Sequence, residues 1–427
     1  MKVSISDSLC KNVSWFSLTL VPILAQADIV EDSKAAVEFK NYYYNRDFRS
    51  GEGQSKREEW AQGVVLRMQS GYTEGPIGFG LDAVTMLGLK LDSSPDRSGS
   101  GLLARDNEAA PGKPGYARKA RNEYSKIGMT GKVRFAQSQI LVGYQVPDMP
   151  TLQPNRSRLF PQSFTGTSWS SQDISDLALA IGQLDQVKQR DSTDYEDMGL
   201  TGQSGAYKSS AKSDQFRYAG GDYKLTPTTL LSYQYAQLES IYEQHYVGFK
   251  DSSKIGPGTL KSEIRYFNSK DEGAALAGKV DNQALSSSVG YAWAGHTLSG
   301  GYQKLYGSTP FAYVDGTNTY LFTEYQYGNF SMTGERAWHA RYDFDFAEIG
   351  IPGLQFSGKY ANGDHAQVTG FTGEGREWER NLSVAYTVQT GSFKNLSFRW
   401  QNANATSNYA RDVDENRVII GYTVSLW

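Results

Sequence analysis

The chain has 427 residues with 43 basic and 46 acidic side chains, and a net charge of −3 excludes a nucleic-acid binder held by bulk charge. Cys10 is the only cysteine, so a disulfide within the chain and a multi-thiolate metal site are both excluded. Aromatic residues make up 13%, with 28 Tyr and 8 Trp beside 44 Gly, a composition that transmembrane barrels share with soluble β-helices and sandwiches.

Residues 1–27 read as a secretory signal peptide. Lys2 and Lys11 supply the positive start, Val13 to Leu24 a short apolar run, and Ala25-Gln26-Ala27 a small-x-small cleavage site. That run is shorter than the roughly 20 apolar residues a helix needs to cross hydrocarbon. Cys10 precedes the run, whereas a lipidated cysteine would follow it. The mature chain, 28–427, then reads as one domain with no cysteine and no helical span.

From there, alternation with a period of two is the primary signal. Gln62 to Tyr72 sets Val64, Leu66 and Met68 against Gly63, Arg67 and Gln69. A short link, Thr73 to Pro76, follows, and then a long polar stretch from Asp92 to Asn122. After the link Ala136 to Ser138, Ile140, Val142 and Tyr144 share one face and Gln139, Gly143 and Gln145 the other. Gln145 to Ser171 and Lys188 to Ser213 read as long polar stretches, and Leu225 to Thr228 as another short link. Ser262 to Asn268 places Ile264 and Tyr266 opposite Glu263 and Arg265. Arg341 to Phe346 is the clearest alternation, with Tyr342, Phe344 and Phe346 against Arg341, Asp343 and Asp345. Asn362 to Trp378 is the last long stretch.

Short links alternating with long loops are the pattern of an outer-membrane barrel, and several long structureless loops are rare in a compact soluble domain. One strand per roughly 20 to 24 residues gives about 16 to 18 strands, wide enough for an aqueous channel. Arg417 to Trp427 (RVIIGYTVSLW) supplies a last strand to close against the first, with Trp427 one place out of the register of Val418, Ile420, Tyr422, Val424 and Leu426.

Motifs for chemistry are weak. Gly273 to Val280 imitates a phosphate-binding loop, but Val280 stands where the magnesium-binding hydroxyl belongs. His245, His296, His339 and His365 are scattered, with no metal-ligand spacing. Gly202-Gln203-Ser204-Gly205 is one residue short of a nucleophile elbow. No enzyme activity, cofactor or metal is expected.

Several ordered stretches resemble the substrate-specific outer-membrane carboxylate channels typified by porin D, the OprD family. They are Phe39 to Phe48 (FKNYYYNRDF), Trp60 to Gly63 (WAQG), Ser70 to Gly75 (SGYTEG), Val84 to Asp92, Ser157 to Gln162 (SRLFPQ), Ala219 to Lys224 (AGGDYK) and Asp271 to Asp281 (DEGAALAGKVD). Tyr302 to Lys304, Glu377 to Arg380 (EWER), Lys394 to Trp400 (KNLSFRW) and Asp414 to Arg417 (DENR) continue the series across essentially the whole mature chain. The resemblance implies an all-β, transmembrane antiparallel barrel of 18 strands, narrowed by inward-folded loops, in a Gram-negative outer membrane. It implies uptake of small carboxylate-bearing solutes such as amino acids or aromatic acids.

The resemblance also implies a constriction in which an arginine faces an acid of another loop. Arg158 matches the arginine, and Asp315, with Tyr313 nearby, is the expected partner. It implies a basic ladder along one wall, for which residue type and alternation nominate Arg399, Arg417, Arg380, Arg46 and Arg67. The family often reads Arg-Trp-Arg-Asn where this chain has Arg399-Trp400-Gln401-Asn402, one cation fewer. Expected partners are carboxylate solutes, outer-membrane lipid and lipopolysaccharide, with a homotrimer left open. A non-specific porin and a structural or interaction barrel with a plugged lumen are the alternatives.

Overall fold

A computed structural model of the chain describes residues 31–427; the signal peptide and its cleavage site lie outside the described residues. Its long strands are β1 (Lys34–Phe48), β2 (Lys56–Gln69), β3 (Ile77–Asp92), β4 (Glu123–Phe135), β5 (Ser138–Gln145) and β6 (Ser163–Ile174). Next come β7 (Leu177–Lys188), β8 (Phe216–Lys224), β9 (Thr229–Leu238), β10 (Tyr242–Ile255), β11 (Gly258–Asp271) and β12 (Asp281–Trp293). The last are β13 (His296–Gly307), β14 (Arg336–Asp345), β15 (Leu354–Ala366), β16 (Gly375–Thr387), β17 (Ser397–Ser407) and β18 (Val413–Ser425).

These form one 18-stranded antiparallel sheet, each strand beside the next in sequence. β18 pairs with β1 from Val413↔Phe48 to Ser425↔Ala36, so the ring is closed. Closure leaves no backbone edge unpaired, the condition for a sheet in hydrocarbon. Trp427 leaves the register because β18 ends at Ser425; its indole N–H donates to Ser33 Oγ at 3.0 Å.

Alternation sorts the two faces as expected. In β2, Trp60 and Met68 lie on the exposed outer face, whereas Ala61 and Val65 are buried inside. In β14, Trp338 and Tyr342 face outward and His339 is buried inward, its ring nitrogen against the Ser287 carbonyl. Phe346 opens a short 3-10 turn, so the outward face of β14 stops at Phe344.

Turns around Thr73, Ala136 and Pro227 sit at one end, and the long connections 93–122, 146–162, 189–215 and 308–335 at the other. Two expected loops are shorter than anticipated. Ser163–Ile174 is strand β6, disguised by its run of Ser and Thr, and β15 and β16 leave only 367–374 between them.

The long loops do not stay outside. Leu159 and Phe160 of loop 146–162 pack against inward residues of β1–β4, namely Tyr42, Tyr44, Val65, Met86 and Tyr124. Phe311 and Leu321 of loop 308–335 pack in the same way on Tyr246, Phe267 and Leu305. Each large apolar side chain removed from water contributes about 1.5–3 kcal/mol. The lumen thus contains a packed core on which the loop tips are fixed.

Candidate functional site

Strand parity builds a row of cations along one wall. On β1, Lys40, Tyr42, Tyr44 and Arg46 point inward; on β18, Glu415, Arg417 and Ile419 do so, and on β17, Arg399 and Gln401. Cross-strand register sets Arg46 opposite Glu415, Tyr44 opposite Arg417, and Ile419 opposite Arg399. Successive inward positions on a strand are about 6.5 Å apart, the spacing between rungs.

Loop 146–162 adds Arg158 to that wall. The Ser157 carbonyl accepts from Tyr42 Oη at 2.9 Å, and the Arg158 carbonyl accepts from Lys40 Nζ at 2.7 Å. Arg158 itself donates Nε to the Ser100 carbonyl at 2.6 Å and Nη1 to Ser157 at 3.0 Å, with its guanidinium 4.7 Å from the Tyr44 ring centre. Ser100 is fixed by the buried carboxylate of Glu59, which accepts from the Ser100 N–H at 2.9 Å and from its hydroxyl. The base of the loop is tied by Lys126, whose ammonium donates to the carbonyls of Pro161 at 2.7 Å and Gln189 at 3.0 Å.

Loop 308–335 supplies the facing side. Glu379 accepts from the N–H groups of Tyr327 at 2.9 Å and Gly328 at 2.7 Å, and Arg417 donates to the Gln326 carbonyl at 3.0 Å. Across the lumen Arg265 lies 3.7 Å from the Tyr320 ring centre and 3.9 Å from that of Phe322, a cationic clamp on the loop.

Between the loops lies a cavity of about 500 Å³ whose basic lining includes Arg46, Arg57, Arg158, Arg190, Lys359 and Arg417. Tyr313 and Glu324 line it as well. A second cavity of about 250 Å³ holds Lys40, Arg156 and Arg399. Ser157, Asn318, Gln401 and Arg417 line both, so they mark the neck that joins them.

Charge within the site is partly compensated. Glu415 is fully buried and bonds to Arg46 Nε at 2.6 Å, Arg417 Nε at 2.6 Å and Tyr44 Oη at 2.6 Å. Two guanidinium groups around one carboxylate leave a net single positive charge. Burial, and then the nearby Arg158, bring Arg190 down to about 10, still protonated at neutral pH. Burial pushes Glu324 up to about 7, against hydrogen bonds from Thr319 that favour its anion. Burial likewise raises Tyr313, so its phenol stays neutral.

The nominated residues divide. Arg158 and Tyr313 line the larger cavity with Arg46, Arg417 lines both cavities, and Arg399 lines the smaller one. Arg67 is inward but lies below both cavities, 3.5 Å from Glu38. Arg380 corrects the expectation. It follows the inward Glu379 and therefore points outward, donating to Asn402 at 3.2 Å. Asp315 lies outside the cavity lining; its N–H donates to the Gly199 carbonyl at 2.9 Å and its carbonyl accepts from Gln162 at 2.9 Å. The acid that this loop presents to the cavity is Glu324. Lys40, Arg57, Arg190 and Glu324 were missed, although parity with Arg46 and Tyr42 marks Lys40. Gln401, where the resemblance implied one cation fewer, falls at the neck itself.

At the outer rim, Asp364, His365 and Glu374 bring candidate ligand atoms within 4.8 Å of one another. Arg336 and Arg376 bond to these carboxylates at 3.3 and 3.2 Å, so the cluster already has cationic partners.

Residues 27–426 match the model of the outer membrane porin, OprD family. The chain is 34% identical to porin D of Pseudomonas aeruginosa over 93% of this chain and 92% of that protein. The solved structure of P. aeruginosa OccK9 (OpdG) superposes with a TM-score of 0.88 at 40% identity, covering 93% of this chain and all of that one. P. aeruginosa OpdK, solved with vanillate, gives 0.85 at 34% identity, over 94% of this chain and all of that one.

Proposed function

Because this chain belongs to the OprD family of substrate-specific outer-membrane porins, we propose that it carries small carboxylate-bearing solutes, amino acids or aromatic acids, by diffusion through the neck. The supporting observation is the continuous series of cations from Arg46 and Arg158, past Arg417 at the neck, to Arg399 and Lys40 beyond it. Guanidinium groups stay charged and present forked donors that fit a carboxylate. Several moderate sites in series let an anion enter and leave, which one tight site would not. Low-dielectric walls at a narrow neck focus the field on the passing charge. Arg158 is suited to first contact: its Nε and Nη1 are taken by backbone oxygens, while Nη2 has no protein partner among the described residues. The vanillate bound to the related OpdK is itself a carboxylate, which agrees with this reading.

Purified protein in liposomes tests it. Labelled benzoate, glutamate and arginine should enter faster than neutral solutes of the same size. Equal entry of carboxylates and their amides would refute the proposal and favour a non-specific pore.

A further inference from the structure

On the lipid-facing surface one arginine of the long strands has no counter-charge among the described residues. Arg380 points outward from β16, and its one hydrogen bond runs from Nη2 to Asn402 Oδ1 at 3.2 Å. Its Nε and Nη1 have no protein partner among the described residues. The other outward arginines of these strands are each paired: Arg217 with Glu239 at 3.6 Å, Arg336 with Asp364 at 3.3 Å and Arg376 with Glu374 at 3.2 Å. The remaining acid on this side, Asp414, is held by Arg49.

Leu382, Val384 and Tyr386 continue the outward face of β16 from Arg380 toward the short-turn end, and Trp378 and Arg376 toward the long-loop end. Arg380 therefore stands where the apolar band gives way to headgroups, on the side of the outer leaflet. A guanidinium there is tolerated by reaching along its stem to an anion. Beside it is a platform of aromatic rings. Tyr360 is its cross-strand neighbour on β15, and the Tyr360 ring lies 6.0 Å from that of Trp378, at an interplanar angle of 21°, and 5.3 Å from that of Trp338 on β14. Asn362 sits between Trp338 and Trp378 in the register, and its amide bonds to nothing among the described residues. Girdles of Trp and Tyr ring any such barrel. Here three packed rings come together with a free amide and an uncompensated arginine.

We propose that this face of β14–β16 binds lipopolysaccharide through its phosphorylated glucosamine headgroup. Arg380 takes a phosphate, since the guanidinium fork matches phosphate oxygens. The rings of Trp338, Tyr360 and Trp378 cover the C–H face of a sugar while their polar edges stay wet. Asn362 offers donors and an acceptor to the acylamide and hydroxyl groups that the sugar carries. Leu382 and Val384 lie along the path of the acyl chains. A phospholipid would satisfy Arg380 but leave the rings and Asn362 without a sugar. A second copy of the chain docked by two-fold symmetry would bring two uncompensated arginines together.

Native mass spectrometry of the full barrel, freed of lipid and titrated with defined probes, tests the site. The probes are bisphosphorylated lipid A, its dephosphorylated form and phosphatidylglycerol. Wild-type protein should prefer bisphosphorylated lipid A, and Arg380→Gln should weaken that adduct about tenfold. Arg380→Lys, which keeps the charge, should retain most of the binding. Dephosphorylated lipid A should bind wild type and Arg380→Gln alike, whereas Trp378→Leu should weaken both forms. Each variant is compared as the folded barrel, identified by its migration on a gel. Equal binding of bisphosphorylated lipid A by wild type and Arg380→Gln would overturn the proposal. So would phosphatidylglycerol bound as tightly as lipid A, or a dimer of the chain in place of the lipid adduct.

Discussion

Arg158 and Glu59 never touch, yet both hold Ser100: Arg158 Nε donates to its carbonyl at 2.6 Å, and the Glu59 carboxylate accepts from its N–H at 2.9 Å. Arg158→Ala removes the guanidinium at the larger cavity and should lower the uptake of carboxylates relative to neutral solutes about fivefold. Total conductance should be equal or higher, because the side chain also occupies space. Equal carboxylate preference in variant and wild type, measured by reversal potential and labelled uptake, would remove Arg158 from the mechanism.

Glu59→Gln keeps the shape but weakens the hold on Ser100. A buried hydrogen-bond network that loses its charged member is weakened by about 1–3 kcal/mol. The loop 93–122 should then be cut faster by protease, and carboxylate preference should fall toward that of Arg158→Ala with conductance retained. Loss of preference without faster cleavage would separate Glu59 from the positioning of Arg158.

Glu415→Gln leaves Arg46 and Arg417 with no anion between them. Breaking a buried ion pair in this way costs about 3–5 kcal/mol. The temperature at which the barrel unfolds on a gel should drop. Barrels that remain folded should prefer anions more strongly, since the trio then carries two positive charges. A lower anion preference would show that Glu415 tunes the neck by shape and not by charge.

Glu324 titrates near pH 7 because it is buried in loop 308–335. Below that pH it is neutral; as pH rises from 6 to 8 it adds a negative charge to a cavity otherwise lined by cations. Anion preference should therefore decline over this window, and Glu324→Gln should abolish the decline. The same shift bears on stability. The folded carboxyl holds its proton more tightly than the unfolded one, so the loop loses stability as pH rises from about 4.5 to about 7. A flat profile in wild-type protein would place the titrating group elsewhere.

Gln401→Arg adds a rung where the two cavities meet. It should raise anion preference and reduce single-channel conductance, because the longer side chain narrows the neck. Planar-bilayer recordings read both quantities, and a rise in conductance would contradict the placement of Gln401.

Much of the barrel was legible in the sequence, because lipid imposes a strict period of two on strands such as Arg341–Asp345. The inward side is less legible. Tyr42, Tyr44 and Met86 are large and face the lumen only because Leu159 and Phe160 come in to cover them. Strand β6 was hidden for the opposite reason, since small hydroxyl residues serve equally for a loop and for the wall of a barrel. Charge alone did not place Arg380, because an arginine is accepted on the outer face where a polar neighbour such as Asn402 takes its hydrogen bond. Asp315 was expected to face Arg158, but Asp315 is outside the cavity lining and the acid of the same loop that enters it is Glu324, a difference set by the fold of the loop and not by spacing.

The seam between β1 and β18 has a kinetic meaning. Tyr44 and Arg46 meet Glu415 across sequence separations of 371 and 369, among the longest-range contacts in the molecule. Chain entropy opposes such contacts until the strands between them are in place. The wall proposed to discriminate among solutes is therefore completed only when the ring shuts. A sheet that inserts without closing has neither the trio around Glu415 nor the neck at Arg417. Ion preference in this protein is thus a report on finished assembly, and a refolding reaction followed by reversal potential should register its last step.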